Sequence, residues 1–458
     1  MSAAGSPGRD VLTAIRGALL TFDGDPAASE RDAFWHHEGD AVVAMASGRI
    51  VDCGPAADVL ARLPPGTPVT RYEHALISAG FIDAHVHYPQ LPVIGAGGKP
   101  LLEWLTAHTF PAEARFADPD YARPIAARYL DENVRHGITS AAVFCTVHTP
   151  SVDALFEAAQ ARAMRIIAGK VLMDRHAPAE LLDTATKGYD DGKALIGRWH
   201  GRGRLAYAVT PRFAATSSPA QLEAASALWH ETPGAYLQSH VAENRAEVDW
   251  IAALYPAHAR YLDVYADFDL LGRRAIYAHG IYLDETDFAR LHESGTALAH
   301  CPTSNNFLGS GLFALHSARA ARRPVHVALA TDVGGGTSFS MLRTMQVASD
   351  VAHLGGHPLS PLYAWWLATR GAAEALDMAA HVGSVRPGCE ADLVVVDLES
   401  TPLIEFRMRY VDSVEEALAV QLALGDDRAI RATYVGGTLA WDRDAPSSSG
   451  TAPRGPAL

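Results

Sequence analysis

Two histidines one residue apart, in His85-Val86-His87, end an apolar run, and strand alternation would put both imidazoles on one face, close enough to share a cation. Alone, such a pair is more often a surface or core feature. Three other segments carry groups of the same kind: Ser239-His240-Val241-Ala242-Glu243, Ala278-His279-Gly280 and Ala330-Thr331-Asp332-Val333-Gly334. Nitrogen and oxygen donors converging from four strand ends suit a borderline divalent ion. Imidazoles disfavour oxygen-only ions and the lack of a thiolate set disfavours soft clusters, which leaves zinc, the preferred ion, or ferrous iron. Such an ion lowers the pKa of a bound water so that hydroxide exists near pH 7. Glu243, three residues after His240, can shuttle a proton there, its plainer reading being an exposed carboxylate. Asp332 reads as a ligand, as the group that orients the water, or as a neighbour of the ligands.

Residues so far apart in sequence need a scaffold that gathers strand ends. Short apolar runs alternate with helical stretches, and strands are expected over 77–87, 138–145, 165–173, 205–213, 236–243, 275–280, 297–302 and 325–333. Helical pattern fills several gaps, as over 219–231 and 284–293. This rhythm predicts an α/β fold, a TIM-like (β/α)8 barrel, in which chemistry lies at the C-terminal ends of the strands. His85, His87, His240, Glu243, His279 and Asp332 all fall at such ends.

Both ends of the chain read differently. Strand alternation over 14–20 and 41–45 returns only over 391–397 and 429–437, so the ends are expected to build one small β-sandwich domain of short antiparallel strands. The expected division is 1–74 and 386–445 for that domain, 75–385 for the barrel, and 446–458 as a disordered tail. Residues 1–9, rich in Ser, Gly, Pro and Ala, are expected to be disordered too.

Lys+Arg 38 against Asp+Glu 52 gives a net charge of −14, which opposes binding to nucleic acid or to an anionic membrane. No apolar run reaches the ~18–20 residues of a membrane span and the opening residues lack a signal-peptide pattern, so a soluble cytoplasmic protein is expected. The 4 cysteines, Cys53, Cys145, Cys301 and Cys389, form no Cys-x-x-Cys pair and predict reduced thiols. Gly95-Ala96-Gly97-Gly98-Lys99-Pro100 suggests a phosphate loop, but Pro100 stands where Ser or Thr is required, and a flexible flap is expected instead.

The motifs resemble the amidohydrolase superfamily in its purine and pyrimidine deaminase branch, and within it the guanine deaminase family. The resemblance rests on His85-Val86-His87-Tyr88-Pro89-Gln90, on Leu101-Leu102-Glu103-Trp104-Leu105 followed by Thr109-Phe110-Pro111-Ala112-Glu113, and on Trp199-His200-Gly201-Arg202-Gly203-Arg204 before Thr210-Pro211-Arg212-Phe213. It continues through 239–245, His300-Cys301-Pro302-Thr303-Ser304-Asn305 and Thr331-Asp332-Val333-Gly334-Gly335-Gly336, over about 75–440. The resemblance implies hydrolytic deamination of guanine to xanthine and ammonia, in purine catabolism or salvage, by a cytoplasmic homodimer with one zinc per subunit. It implies His85, His87, His240 and Asp332 as metal ligands, with His279 a ligand or a polarising neighbour of the metal water. It makes Glu243 the proton shuttle, with His279 and Asp332 beside it in catalysis.

The same resemblance places Gln90, Arg212 and Phe213 in the purine pocket, with His87, His240, Glu243 and Asp332 also facing the substrate. Without it, Arg212 would read as a surface salt bridge and Phe213 as barrel core. Other aminopurines, pterins or triazines remain rival substrates on the same scaffold, and a non-catalytic barrel is the rival from another class.

Overall fold

The computed structural model describes residues 11–27, 34–97 and 99–445. The tails expected to be disordered, 1–9 and 446–458, lie outside the described residues. Among the described residues no helix is long and apolar enough to cross a membrane.

Eight parallel strands run around a barrel in chain order: Phe81–His87, Ile138–Phe144, Arg165–Gly169, Leu205–Pro211, Tyr236–Val241, Ala275–His279, Ala297–His300 and His326–Leu329. Closure comes where the last strand exits, with Asp332 N–H donating to the carbonyl of His85 (2.9 Å) and His87 N–H to that of Val333 (2.8 Å). Small side chains fill the interior, among them Ala84, Ala142, Ala208, Ala278, Ala299 and Ala328, and the helix Arg370–Ala375 packs against the same cluster. Larger apolar groups such as Phe81, Val86, Val143, Leu237 and Leu298 face the surrounding helices. That division of small inside and large outside follows from period-two alternation in a sheet covered on both faces.

The barrel strands approach closely at Gly169. A Cβ there would fall 1.7 Å from the carbonyl oxygen of Ala208 in the neighbouring strand, and backbone cannot give way as a side chain can. Gly169→Ala is therefore expected to cost about 3 kcal/mol, read as a lowered melting temperature; an unchanged melt would show that the strands separate freely at this point.

The two ends of the chain meet in a seven-stranded sheet, ordered Thr438–Asp442, Ile430–Val435, Leu393–Asp397, Val69–Ala79, Thr13–Phe22, Trp35–Ala46, Arg49–Pro55. Ile15, Val43, Ile77, Leu393 and Val395 share a core on one face, while Leu20, Leu76, Val394 and Val396 join the barrel's outer core on the other. Thr13–Phe22 and Trp35–Ala46 are longer than expected and Leu393–Asp397 and Ile430–Val435 shorter, and Thr13–Phe22 runs parallel to Val69–Ala79, so the sheet is mixed rather than wholly antiparallel. A parallel pair needs a long crossover, which Trp35–Ala46, Arg49–Pro55 and the helix Ala56–Arg62 provide.

The strand expected over 77–87 is two strands. Val69–Ala79 belongs to the smaller sheet and Phe81–His87 to the barrel, with Gly80 between them. A Cβ at Gly80 would stand 2.4 Å from the Thr139 side chain, so only glycine lets the chain pass from one sheet to the other here.

Candidate active site

Ile82 and Ala84 belong to the barrel interior, whereas Phe81 and Val86 pack outward. The pairing register shifts between Asp83 and Val86, which turns the imidazoles of His85 and His87 to the same interior as Ala84. Both are buried, at 2% and 3% exposure. His240 near the end of the fifth strand, His279 at the end of the sixth and Asp332 beyond the eighth complete a ring of side chains at the C-terminal mouth. His279 and Asp332 hold positive φ angles of 75° and 49°, a costly backbone state for residues other than glycine and one that clusters at functional sites.

The ring is tight. His85 Nε2 lies 3.3 Å and His87 Nε2 3.8 Å from Asp332 Oδ1. His87 Nε2 and His240 Nε2 are 3.0 Å apart, and His279 Nε2 is 3.9 Å from Asp332 Oδ2. Two imidazoles have their far nitrogen committed elsewhere: His240 Nδ1 donates to the Arg212 carbonyl (2.6 Å) and His279 Nδ1 to Asn305 Oδ1 (2.9 Å). Each such contact leaves an Nε2 lone pair aimed into the ring.

His85 Nε2 and His279 Nε2 are buried and have no hydrogen-bond partner among the described residues. Such orphaned acceptors are costly unless a cation takes them, and a set of neutral imidazoles plus one carboxylate is the donor chemistry of zinc. Burial first, with neighbouring positive charges second, holds the imidazoles of His85, His87 and His240 well below the usual histidine range, so they are neutral donors. Four candidate ligand atoms, from His85, His279, Cys301 and Asp332, lie within 4.8 Å of one another, and so do those of His85, His87 and His240. The residues present fit a metal.

Glu243 is not the exposed carboxylate of its plainer reading. It is 4% exposed, its Oε2 lies 3.4 Å from His279 Nε2, and Ser310 Oγ donates to its Oε1 at 3.4 Å. Burial, reinforced by the charge of Asp332, pushes its carboxyl up to about 8. A carboxyl that readily holds a proton near neutrality is the kind needed to carry one between water and a substrate nitrogen. The Glu243 N–H is in turn held by Glu247 Oε2 at 2.8 Å.

Beside this ring opens a cavity lined by His87, Gln90, Arg212, Phe213, His240, Glu243, His279 and Asp332 together with Leu101, Trp104 and Leu105. Every sequence-predicted site residue except His85, which lies beneath, faces this space. Arg212 is no surface group: it is 2% exposed, and its Nη1 donates to both carboxylate oxygens of Glu113, at 3.0 and 2.8 Å. Gln90 Nε2 donates to the same carboxylate at 2.9 Å. Among the described residues, neither Gln90 Oε1 nor the Nε and Nη2 of Arg212 makes a hydrogen bond within the protein.

Three functional neighbours were not singled out from sequence. Glu113 is one, quoted only as part of a motif. Asn305, which orients His279, is another. The third is Asp83, fully buried, which accepts from Thr331 N–H (2.9 Å) and from the Thr331 hydroxyl and so braces the backbone just before Asp332. An acid two residues before His-x-His was a visible signal for Asp83; the other two depend on where helices land over the barrel mouth. Lys99 of the glycine-rich segment lies 4.0 Å from Glu103 and is not among the residues lining the cavity. Gly98 lies outside the described residues.

The sequence profile of the amidohydrolase family matches residues 76–440. The guanine deaminase of Escherichia coli (strain K12) is 44% identical over 441 residues, which is 95% of this chain and 99% of that protein. The solved structure of E. coli guanine deaminase superposes with a TM-score of 0.92 at 43% identity, over 94% of this chain and 100% of that one. A guanine deaminase from C. acetobutylicum, solved with bound guanine in the active site, superposes with a TM-score of 0.83 at 26% identity, over 93% and 99% of the two chains.

Proposed function

The chain belongs to the amidohydrolase family, and from that premise we propose that it hydrolyses guanine to xanthine and ammonia, with zinc as the resident metal. The observation that carries the substrate is the pairing of Gln90 and Arg212. With its amide nitrogen turned to Glu113, Gln90 offers the carbonyl Oε1 as an acceptor, while Arg212 offers its remaining N–H groups as donors. A ring N–H beside a carbonyl oxygen, the lactam edge of guanine, matches that pair; the amidine edge of adenine presents the opposite pattern. Phe213, 6% exposed, supplies an apolar wall for the base.

His85, His87, His240 and Asp332 would hold the zinc, with His279 beside it. A bound zinc would supply Lewis acidity, making hydroxide available from water near neutral pH. Glu243 accepts a proton from the attacking water and delivers it to a ring nitrogen as the water oxygen bonds to C2. Glu243 then passes the remaining proton of the attacking oxygen to the exocyclic nitrogen, the bond from C2 to that nitrogen breaks, and ammonia departs as C2 keeps the oxygen as a carbonyl. Asp332 holds the attacking oxygen's remaining proton, while His279, fixed by Asn305, faces the same point.

The test is ammonia release by the zinc-reconstituted protein with guanine, beside adenine, cytosine and 8-oxoguanine. Turnover of guanine far above the others, abolished by a chelator, is the expected result. Silence on guanine with turnover of another base would keep the hydrolytic chemistry and discard the pocket reading.

A further inference from the structure

We infer that Glu113 is a specificity-determining positioning residue: it sets the orientation of the Gln90 amide and of the Arg212 guanidinium, and through them the preference for a 2-amino-oxo ring. The inference rests on the proposed deamination of guanine and adds to it the device that makes the pocket selective.

Glu113 has no exposure and is absent from the residues that line the cavity, so it acts from behind those that do. It comes from the short helix Phe110–Ala114, laid over the barrel mouth, whereas Gln90 follows the first barrel strand and Arg212 the fourth. A glutamine amide is chemically two-faced, since a half-turn about its last bond exchanges the oxygen for the nitrogen. What decides the matter here is that a carboxylate only accepts. Glu113 Oε1 takes Gln90 Nε2 at 2.9 Å, so Gln90 Oε1 must face elsewhere.

The same carboxylate takes both of its contacts to Arg212 through Nη1 alone, leaving Nε and Nη2 for a ligand. It also neutralises a guanidinium that is 2% exposed, so the pair presents directed dipoles and no net charge to the base. The ring of Phe110 lies 5.6 Å from the guanidinium and fixes it further. Arg212 is coupled to the reaction centre as well, because its backbone carbonyl accepts from His240 Nδ1.

A site that hydrogen-bonds a substrate group rejects the analogue lacking that group by about 10⁴-fold, but only while the polar groups are held in place. Glu113→Gln replaces the pure acceptor with an amide. Gln90 can then present its nitrogen to the cavity as readily as its oxygen, and Arg212 loses its counter-charge.

The experiment compares guanine with 2-aminopurine, which carries the same C2 amino group but neither the ring N–H nor the oxygen of the lactam. Glu113→Gln is expected to lower the ratio of kcat/KM for guanine over that for 2-aminopurine by about a hundredfold, mostly through a raised KM for guanine. Glu113→Asp, which keeps an acceptor but reaches only one partner, is expected to fall between the two and reads the same ratio if the glutamine variant does not fold. Loss of both activities in proportion, or no change in the ratio, would reduce Glu113 to packing and overturn the inference. Absence of guanine turnover by the unaltered protein would overturn the proposed function together with it, whereas normal turnover with an unmoved ratio removes Glu113 alone.

Discussion

Glu243→Gln is expected to keep the metal and the fold while losing about 10³- to 10⁴-fold in kcat, the scale of a positioned acid–base group. The substitution is nearly isosteric, so the contact with Ser310 Oγ can persist and no cavity is opened. What disappears is, among the described residues, the one carboxyl that both lines the cavity and lies within 3.4 Å of His279 Nε2. Asp332 cannot take over, because its oxygens already face three of the histidines and its charge is needed there. Metal content and melting temperature measured beside kcat separate a lost proton carrier from a damaged site. If kcat is unchanged at full metal content, the proton travels by another route and Glu243 leaves the mechanism.

The parts of this site that sequence shows are those governed by short-range rules. Alternation relates His85 to His87, and the barrel's strand exits select His240, Glu243, His279 and Asp332, because residues at strand ends are gathered by the fold whatever lies between. What sequence does not show is register. Alternation carried on from Ile82 and Ala84 would put Val86 inside and the two histidines outside, and only the shift between Asp83 and Val86 reverses this. Nor does it show the break at Gly80, since 77–87 reads as one strand and the division depends on Thr139 pressing against it. Glu113 stayed without a role for the same kind of reason. Its meaning comes from two partners 23 and 99 residues away, on elements that meet only when the barrel has closed.

Removing the metal is expected to abolish turnover of guanine, and zinc added back at about one ion per chain to restore it, because no side chain in the cavity supplies Lewis acidity in its place. Stability should respond too, and that response is independent of catalysis. Among the described residues His85 Nε2 and His279 Nε2 are buried with no hydrogen-bond partner, and each such atom costs about 1–3 kcal/mol until something binds it. Zinc at a hundredfold over its Kd would then add about 2.7 kcal/mol to the folded state, raising the melting temperature. The sign with pH follows from the imidazoles of His85, His87 and His240, whose folded pKa values burial depresses. The unfolded chain binds protons at these sites below about pH 6.5 and the folded chain does not. Stability from this source is therefore complete above that pH and falls as the pH is lowered through it, and zinc, which needs neutral imidazoles, deepens the fall. A chelated protein that still releases ammonia from guanine, or a melting temperature indifferent to zinc at pH 7.5, would leave the five groups as buried polar packing and remove the hydrolytic centre from the mouth of the barrel.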